Sequence, residues 1–248
     1  MNDLSGKTAL VVGASRGLGR GVASAFADAG ARVVAFARTE TALAELAAAN
    51  SNIRAQVADA ADPAVAWNAI DQYAPEILVL VAGANPVTRA LQHHTWETFS
   101  INWQTDVRIA FNWLRESLLK PLKPGSRVVV VSSAAALRGS PVSGGYAGAK
   151  ATERFIAAYA ADESQRAGLG ITVTAVLPGM TPLGEVGKRG VRAYAARSGQ
   201  TEEAFIKDMG PLLTPEIAGS ALVGLVQADA AGIAPGYLLT AAGLEKIS

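Results

Sequence analysis

Thr8-Ala9-Leu10-Val11-Val12-Gly13-Ala14-Ser15-Arg16-Gly17-Leu18-Gly19-Arg20-Gly21-Val22 opens with five residues of strand character, turns on glycine and runs into a helical stretch. After Thr8 the run to Val12 is wholly apolar, as a strand covered by helices on both faces requires. Gly13, Gly17 and Gly19 follow in the spacing G-x-x-x-G-x-G. A strand, a glycine-rich turn and a helix N-terminus in succession bring unpaired backbone N–H groups and the positive helix end to one point, where a pyrophosphate can sit. Side chains at the glycine positions would block that approach. The stretch therefore predicts a phosphate site at the end of the first strand of a parallel sheet.

Outward from it the same rhythm recurs. Strands are expected at Arg32 to Ala37, Ile53 to Val57, Ile77 to Ala82, Arg127 to Ser132, Ile171 to Leu177 and Tyr237 to Leu239. Helices are expected at Gly17 to Ala29, Glu40 to Ala49, Pro63 to Tyr73, Trp96 to Leu119, Gly145 to Ala167 and Pro215 to Gln227. Alternation of this kind gives an α/β fold, a doubly wound parallel sheet of about seven strands with helices on both faces. No linker or charge block divides residues 1–248, so one domain is expected. The exception to the rhythm is the polar, glycine-containing stretch from Gly179 to Leu213, whose part at about 183–213 reads as a lid or binding loop.

Composition narrows the function. The 248 residues carry 22 Lys and Arg against 21 Asp and Glu, and half are apolar, which disfavours a nucleic-acid partner and a disordered chain. The absence of Cys removes thiolate catalysis and thiolate-bound zinc. His93 and His94 lack further ligands at suitable spacing, so no metal is expected. The apolar stretch Ile77 to Ala84 is far shorter than the roughly 20 residues of a membrane helix, and no apolar signal segment precedes Thr8. A cytoplasmic protein with no membrane contact is expected. With only 17% charged residues an isolated chain would leave much apolar surface, so a homo-oligomer, dimer or tetramer, is expected.

After the second strand a dinucleotide site places the group that reads the adenosine ribose. Here the chain reads Ala35-Phe36-Ala37-Arg38-Thr39, with no acid. Arg38 and Arg16 can converge on one phosphate, and a guanidinium suits bidentate phosphate contact, so NADP(H) is favoured over NAD(H). Asp59 reads either as an acceptor for the adenine amino group or as a turn residue. Tyr146 and Lys150 stand at i and i+4, on one face of a helix. A phenol near its free pKa of ~10 is a poor acid–base catalyst at neutral pH, and a neighbouring cation lowers that value. Ser133 follows the fifth strand, and Asn102 lies in the long helical stretch before it. Trp96, Trp103 and Trp113 on that stretch read as packing residues.

With these residues in place the chain resembles the short-chain dehydrogenase/reductase family, in its short single-domain branch. The resemblance runs from the Gly13, Gly17 and Gly19 turn through Pro178-Gly179 to the segment 236–243. It implies a Rossmann-like fold and an NADP(H)-dependent oxidoreductase that interconverts a carbonyl and a secondary alcohol, a ketoreductase or carbonyl reductase. It implies Tyr146 as general acid/base, Lys150 as the group that lowers its pKa and bonds the nicotinamide ribose, and Ser133 as the holder of the substrate oxygen. Asn102 would anchor a water relaying protons from Lys150, and hydride would pass from the B face. The cofactor would meet Gly13, Ser15, Arg16, Gly17, Leu18, Gly19, Arg38, Asp59, Ala60, Ala82, Gly83, Tyr146, Lys150, Pro178, Gly179 and Thr181. The cleft implied for a mainly apolar small-molecule carbonyl or alcohol includes Pro86, Leu137, Val142 and Met180.

The chain departs from the family pattern at Val12, where a Thr is common, and at Leu80-Val81-Ala82-Gly83, which replaces Asn-Asn-Ala-Gly. Those polar groups brace the adenosine half, so the change bears on cofactor affinity rather than on chemistry. Two other readings share the scaffold: an NADP(H)-binding regulator without turnover, and a dehydratase or epimerase that retains its cofactor.

Overall fold

In the computed structural model, which describes residues 3–247, β1 (Thr8–Val12) lies inside the sheet between β2 (Arg32–Ala37) and β4 (Ile77–Leu80). The chain first moves outward from β1 through β2 to β3 (Ile53–Val57), then returns to the other side through β4, β5 (Arg127–Val131), β6 (Thr172–Pro178) and β7 (Gly236–Thr240). All these neighbours are parallel; Val12 stands opposite Phe36 on one side and Leu80 on the other. The reversal of winding between β1 and β4 splays their connections apart at the carboxyl ends, which is where a doubly wound sheet opens a crevice.

Alternate side chains of β1 feed separate cores. Ala9 and Val11 enter one with Phe26 of α1 (Gly17–Asp28), Leu43 of α2 (Glu40–Ala49) and Leu222 of α10 (Pro215–Gln227). Leu10 and Val12 enter the other with Ile70 of α3 (Pro63–Tyr73), Trp113 of α5 (Arg108–Leu119) and Ala157 of α7 (Gly144–Arg166). Local chemistry sets several boundaries. Asp62 caps α3 by accepting from Ala64 N–H at 2.9 Å with Pro63 in the first turn, and Thr214 caps α10 ahead of Pro215.

Three features differ from the sequence expectation. An eighth strand, β8 (Gly243–Ile247), folds back antiparallel on β7 through Gly243 at φ +102°; its short polar sequence carries no strand signal. The helical stretch from Trp96 is not uniform: α4 (Trp96–Asn102) passes into a π-helical turn at Trp103–Val107 before α5 begins. Finally, the polar insertion holds two helices, α8 (Glu185–Ser198) and α9 (Glu202–Asp208), the second capped by Thr201. Among the described residues no helix is long and apolar enough to cross a membrane.

Of the three tryptophans on the helical stretch only Trp113 is a core residue. Trp96 is 69% exposed and Trp103 37%, the indole of Trp103 lying against Gly148 of α7. Trp113 is fully buried, packs edge-on against Phe36 and donates from Nε1 to Ala60 O at 3.1 Å, while Asn112 Nδ2 donates to Ala61 O. These two bonds hold the loop after β3 against α5. Trp113→Ala is expected to cost about 3–5 kcal/mol of stability, read as a lowered urea midpoint at an unchanged slope.

Candidate active site

A cavity of about 850 Å³ opens over the carboxyl ends of β1, β4, β5 and β6. Its floor at one end is the glycine turn. Gly13 has φ +100°, and a Cβ there would lie 2.5 Å from Ala82 N; a Cβ on Gly19 would lie 2.2 Å from Gly13 O. Glycine at both positions is thus a packing requirement of the turn itself. Arg16 occupies the N-cap of α1 without a side-chain capping bond, and no acid sits in the first turn. The first N–H groups of α1 therefore face the cavity unneutralised, as an anion site needs. Arg16 and Arg38 both line this end as exposed side chains, and neither guanidinium has a partner among the described residues. Asp59 also lines it, with Oδ1 accepting from Ala61 N–H at 3.0 Å in the turn geometry that was one of its two readings.

Midway, Ser133, Tyr146 and Lys150 line the cavity together. The first turn of α7 supplies Tyr146, and Lys150 follows one turn on with Nζ 5.7 Å from the centre of the phenol ring. Burial pushes the Tyr146 phenol up; the Lys150 ammonium and the Ser133 hydroxyl oppose that rise, and the carboxylates of Asp106 and Glu153 reinforce it. Asp106 and Glu153 were not singled out in the sequence. Lys150, 5% exposed, has Nζ 3.2 Å from Asp106 Oδ2 and 2.8 Å from Glu153 Oε2, and those carboxyls are 1% and 3% exposed. Burial alone would lower the Lys150 pKa, but the two carboxylates outweigh it and raise it.

Asn102 is buried and does not line the cavity; its Nδ2 donates to Ala84 O at 2.9 Å and to Asp106 Oδ2 at 3.2 Å. The carboxylate of Asp106 thus bridges Asn102 and Lys150 directly. Oδ1 of Asp106 also accepts from Ala84 N–H at 2.7 Å. The π-helical turn and Gly83 are what admit this side chain: a Cβ on Gly83 would meet Asp106 Oδ2 at 2.7 Å. The signal for both acids was their spacing, Asp106 four residues after Asn102 and Glu153 three after Lys150, each one helical turn away.

At the far end Pro86, Met180, Leu183 and Val186 give the lining an apolar character beside Asn85 and Arg138. Tyr194 of α8 bonds Ser140 at 2.7 Å, fastening the insertion to the loop after Ser133. Two expected cleft residues lie elsewhere. Leu137 is exposed on the outside of α6 (Ala135–Arg138), and Val142 is buried while its neighbours Pro141 and Ser143 face the cavity. Thr181 does line the cavity, with its hydroxyl donating to Leu213 O at 2.7 Å, and so ties the two ends of the insertion together. Ser15, Gly17, Leu18, Ala60, Ala82, Pro178 and Gly179 all border the cavity.

A doubly wound sheet with an uncapped glycine turn and a Ser–Tyr–Lys cluster in one cavity defines a dinucleotide-dependent oxidoreductase scaffold. The family model described as short chain dehydrogenase matches residues 7–192, and the chain belongs to that family. It is 32% identical over 188 residues to a hydroxynaphthalene reductase-like protein of Metarhizium majus, covering 71% of this chain and 69% of that one. It is 30% identical over 184 residues to a 3-oxoacyl-[acyl-carrier-protein] reductase of Rickettsia prowazekii, covering 72% and 74%. Among solved structures it is similar to one of a putative NAD(P) dependent gluconate 5-dehydrogenase from Beutenbergia cavernae with bound NADP at low occupancy. The TM-score is 0.76 at 26% identity, over 93% of this chain and 92% of that one. The fold is shared also with a short chain dehydrogenase from Mycobacterium avium, at TM-score 0.79 and 22% identity over 100% and 86%.

Burial first, and then the Asp106 carboxylate, push Glu153 from 4.5 up to about 7 against the pull of Lys150. The folded state then holds a proton that the unfolded chain releases near pH 4.5, so its contribution to stability declines as pH rises from about 4.5 to about 7 and is level above that. Glu153→Gln removes the difference. Denaturation measured across that window is expected to show a flatter pH dependence in the variant than in the parent protein.

Proposed function

We propose that the chain is an NADP(H)-dependent oxidoreductase that interconverts a carbonyl and a secondary alcohol, working chiefly as a ketone or 3-oxo reductase on a mainly apolar substrate. The observation that carries this reading is the shared cavity: Tyr146, Lys150 and Ser133 stand between the uncapped glycine turn at one end and an apolar lining at the other. The cradle fits a dinucleotide, because Gly17 leaves open space where a side chain would stand and the α1 N–H groups have no competing cap. Arg16 and Arg38, unpartnered at that end, are suited to a 2′-phosphate. When bound, the nicotinamide supplies or accepts the hydride.

The chain's own residues do the rest. Ser133 holds the substrate oxygen, and Tyr146 delivers a proton to it as negative charge develops. Lys150 keeps a positive charge beside the phenolate that this leaves. Asn102 positions the cluster through Asp106. Met180, together with Leu183 and Val186 at the start of a lid at about 183–213 in a single domain, shapes the substrate end. The reductase names of the two similar curated proteins support the carbonyl-reducing direction. We also infer a homo-oligomer. Phe111 and Leu119 of α5 and Phe155 and Tyr159 of α7 are large apolar groups more than half exposed on helices packed side by side.

Tyr146→Phe is expected to lower NADPH-driven reduction of aryl ketones and β-keto esters by roughly 10²-fold or more, with NADPH binding retained. Net alcohol formation matched to NADPH consumption separates a reductase from a dehydratase or epimerase. NADPH binding without turnover on any carbonyl would favour a regulator. Arg16→Gln and Arg38→Gln each remove a charge-assisted bond of about 1.5–3 kcal/mol. Each is expected to raise the KM for NADPH roughly tenfold or more with little change for NADH, and equal effects on both cofactors would refute the phosphate assignment.

A further inference from the structure

Two carboxyls converge on one buried ammonium, and they are not equivalent. Asp106 accepts from Ala84 N–H, Asn102 Nδ2 and Lys150 Nζ, so both of its oxygens are engaged. Glu153 reaches only Lys150: its Oε2 lies 2.8 Å from Nζ yet forms no well-aligned hydrogen bond, and it is sealed from water. With both acids ionised the cluster has one uncompensated negative charge in a low-dielectric interior, a costly arrangement. One proton on Glu153 makes it neutral.

We propose that Glu153 is a positioning residue that stores a proton behind Lys150, and that release of this proton makes Tyr146 a weaker acid. The inference rests on the reading of Tyr146 as the proton donor. Tyr146, Lys150 and Glu153 lie along successive turns of α7, so the charge on Glu153 acts on the phenol through the shared ammonium. The direction follows from Coulomb's law: an added carboxylate offsets part of the Lys150 charge that favours phenolate. Lys150 itself is held in its charged form by both acids, which leaves Glu153 as the group whose charge changes near neutrality.

Other charged groups do not substitute for it. On the elements packed against α7, α5 carries Arg115 and Glu116, paired with each other, and an exposed Arg108; α4 carries exposed Glu97, and α6 exposed Arg138. The charges that act on Glu153 are Lys150 on its own helix and Asp106 on the π-helical turn. Its proton is thus governed by the catalytic cluster and by bulk pH.

The test follows carboxyl and phenol carbons by NMR in protein labelled at glutamate and tyrosine, with Glu153→Gln and Tyr146→Phe for assignment. The expected result is one glutamate titrating near neutrality, lost in Glu153→Gln, and an inflection of the Tyr146 phenol carbon at the same pH that is also lost. In carbonyl reduction kcat/KM is expected to fall several-fold as pH rises through that midpoint, and Glu153→Gln is expected to abolish this limb. The alkaline limb that reports Tyr146 should move down by about one pH unit in the variant. A Glu153 resonance titrating in the ordinary carboxylate range, or a Tyr146 carbon with no inflection at the Glu153 midpoint, would overturn the proposal. Should Glu153→Gln fail to fold, Glu153→Asp supplies the assignment and the parent titrations decide. Absence of turnover on every carbonyl, with both NMR inflections present, would fall on the proposed reaction and leave the Glu153–Tyr146 coupling standing.

Discussion

Burial of the Lys150 ammonium is the constraint around which this site is built. A cation removed from water needs counter-charge supplied by the protein, and supplied in place. Asp106 provides it from a neighbouring element, and its arrival there makes demands on three others. The α4–α5 axis takes a π-helical turn at Trp103–Val107, a distortion that recurs at functional sites. Gly83 forgoes a side chain so that the carboxylate can lie against the strand end, and Ala84 turns both its N–H and its C=O toward the Asp106–Asn102 pair. Helix α7, the segment after β4 and the π-helical turn are thus locked to one another through one charge.

The sheet supplies the other half of the geometry. Because β1 and β4 are hydrogen-bonded neighbours whose following segments depart to opposite sides, the glycine turn after β1 and the Ala82-Gly83-Ala84 segment after β4 border one crevice. Val81 and Ala82 N–H both reach Val12 O at 2.8 Å, and β4 ends at Leu80, two residues before the expected strand end at Ala82. That early end frees the segment to turn toward Asp106. It also sets Ala82 against Gly13, so the glycine turn and the charge cluster share a wall.

What could be read from the chain follows the range of the interactions involved. β1, β2 and β3 and the glycine turn were legible to the residue, since apolar runs and glycine spacing are local signals. Tyr146 and Lys150 were legible as a pair because one helical turn joins them. Asp106 and Glu153 also stand one helical turn from a partner, but spacing alone carries no sign of burial. On an amphipathic helix an isolated acid reads as a solvated charge, and only the packing of α5 and the π-helical turn onto α7 shows that both point inward. The same range effect explains Leu137 and Val142. A four-residue helix and a turn decide which neighbours of Pro141 face the cavity, and no periodicity spans so short a segment. The lid was visible as an interruption of rhythm, but the Tyr194–Ser140 bond that fastens it joins residues 54 apart.

The outer face of α7 extends the argument from the cluster to the assembly. Phe155 and Tyr159 sit about one and a half and two and a half turns beyond Lys150, with ring centres 6.3 Å apart and both more than half exposed. A helix whose inner face carries the buried Lys150 and Glu153 beside the cavity-lining Tyr146 needs a rigid axis, because displacement of one turn would separate charges that were expensive to bury. Its inner side is already fixed by close backbone approach: a Cβ on Gly145 would meet Phe99 O at 2.0 Å. The outer side of a lone chain has no such restraint. In the proposed oligomer, a second copy laid against the aromatic face would hold α7 from both sides, so self-association and the electrostatics of Tyr146 would be coupled through the stiffness of one helix.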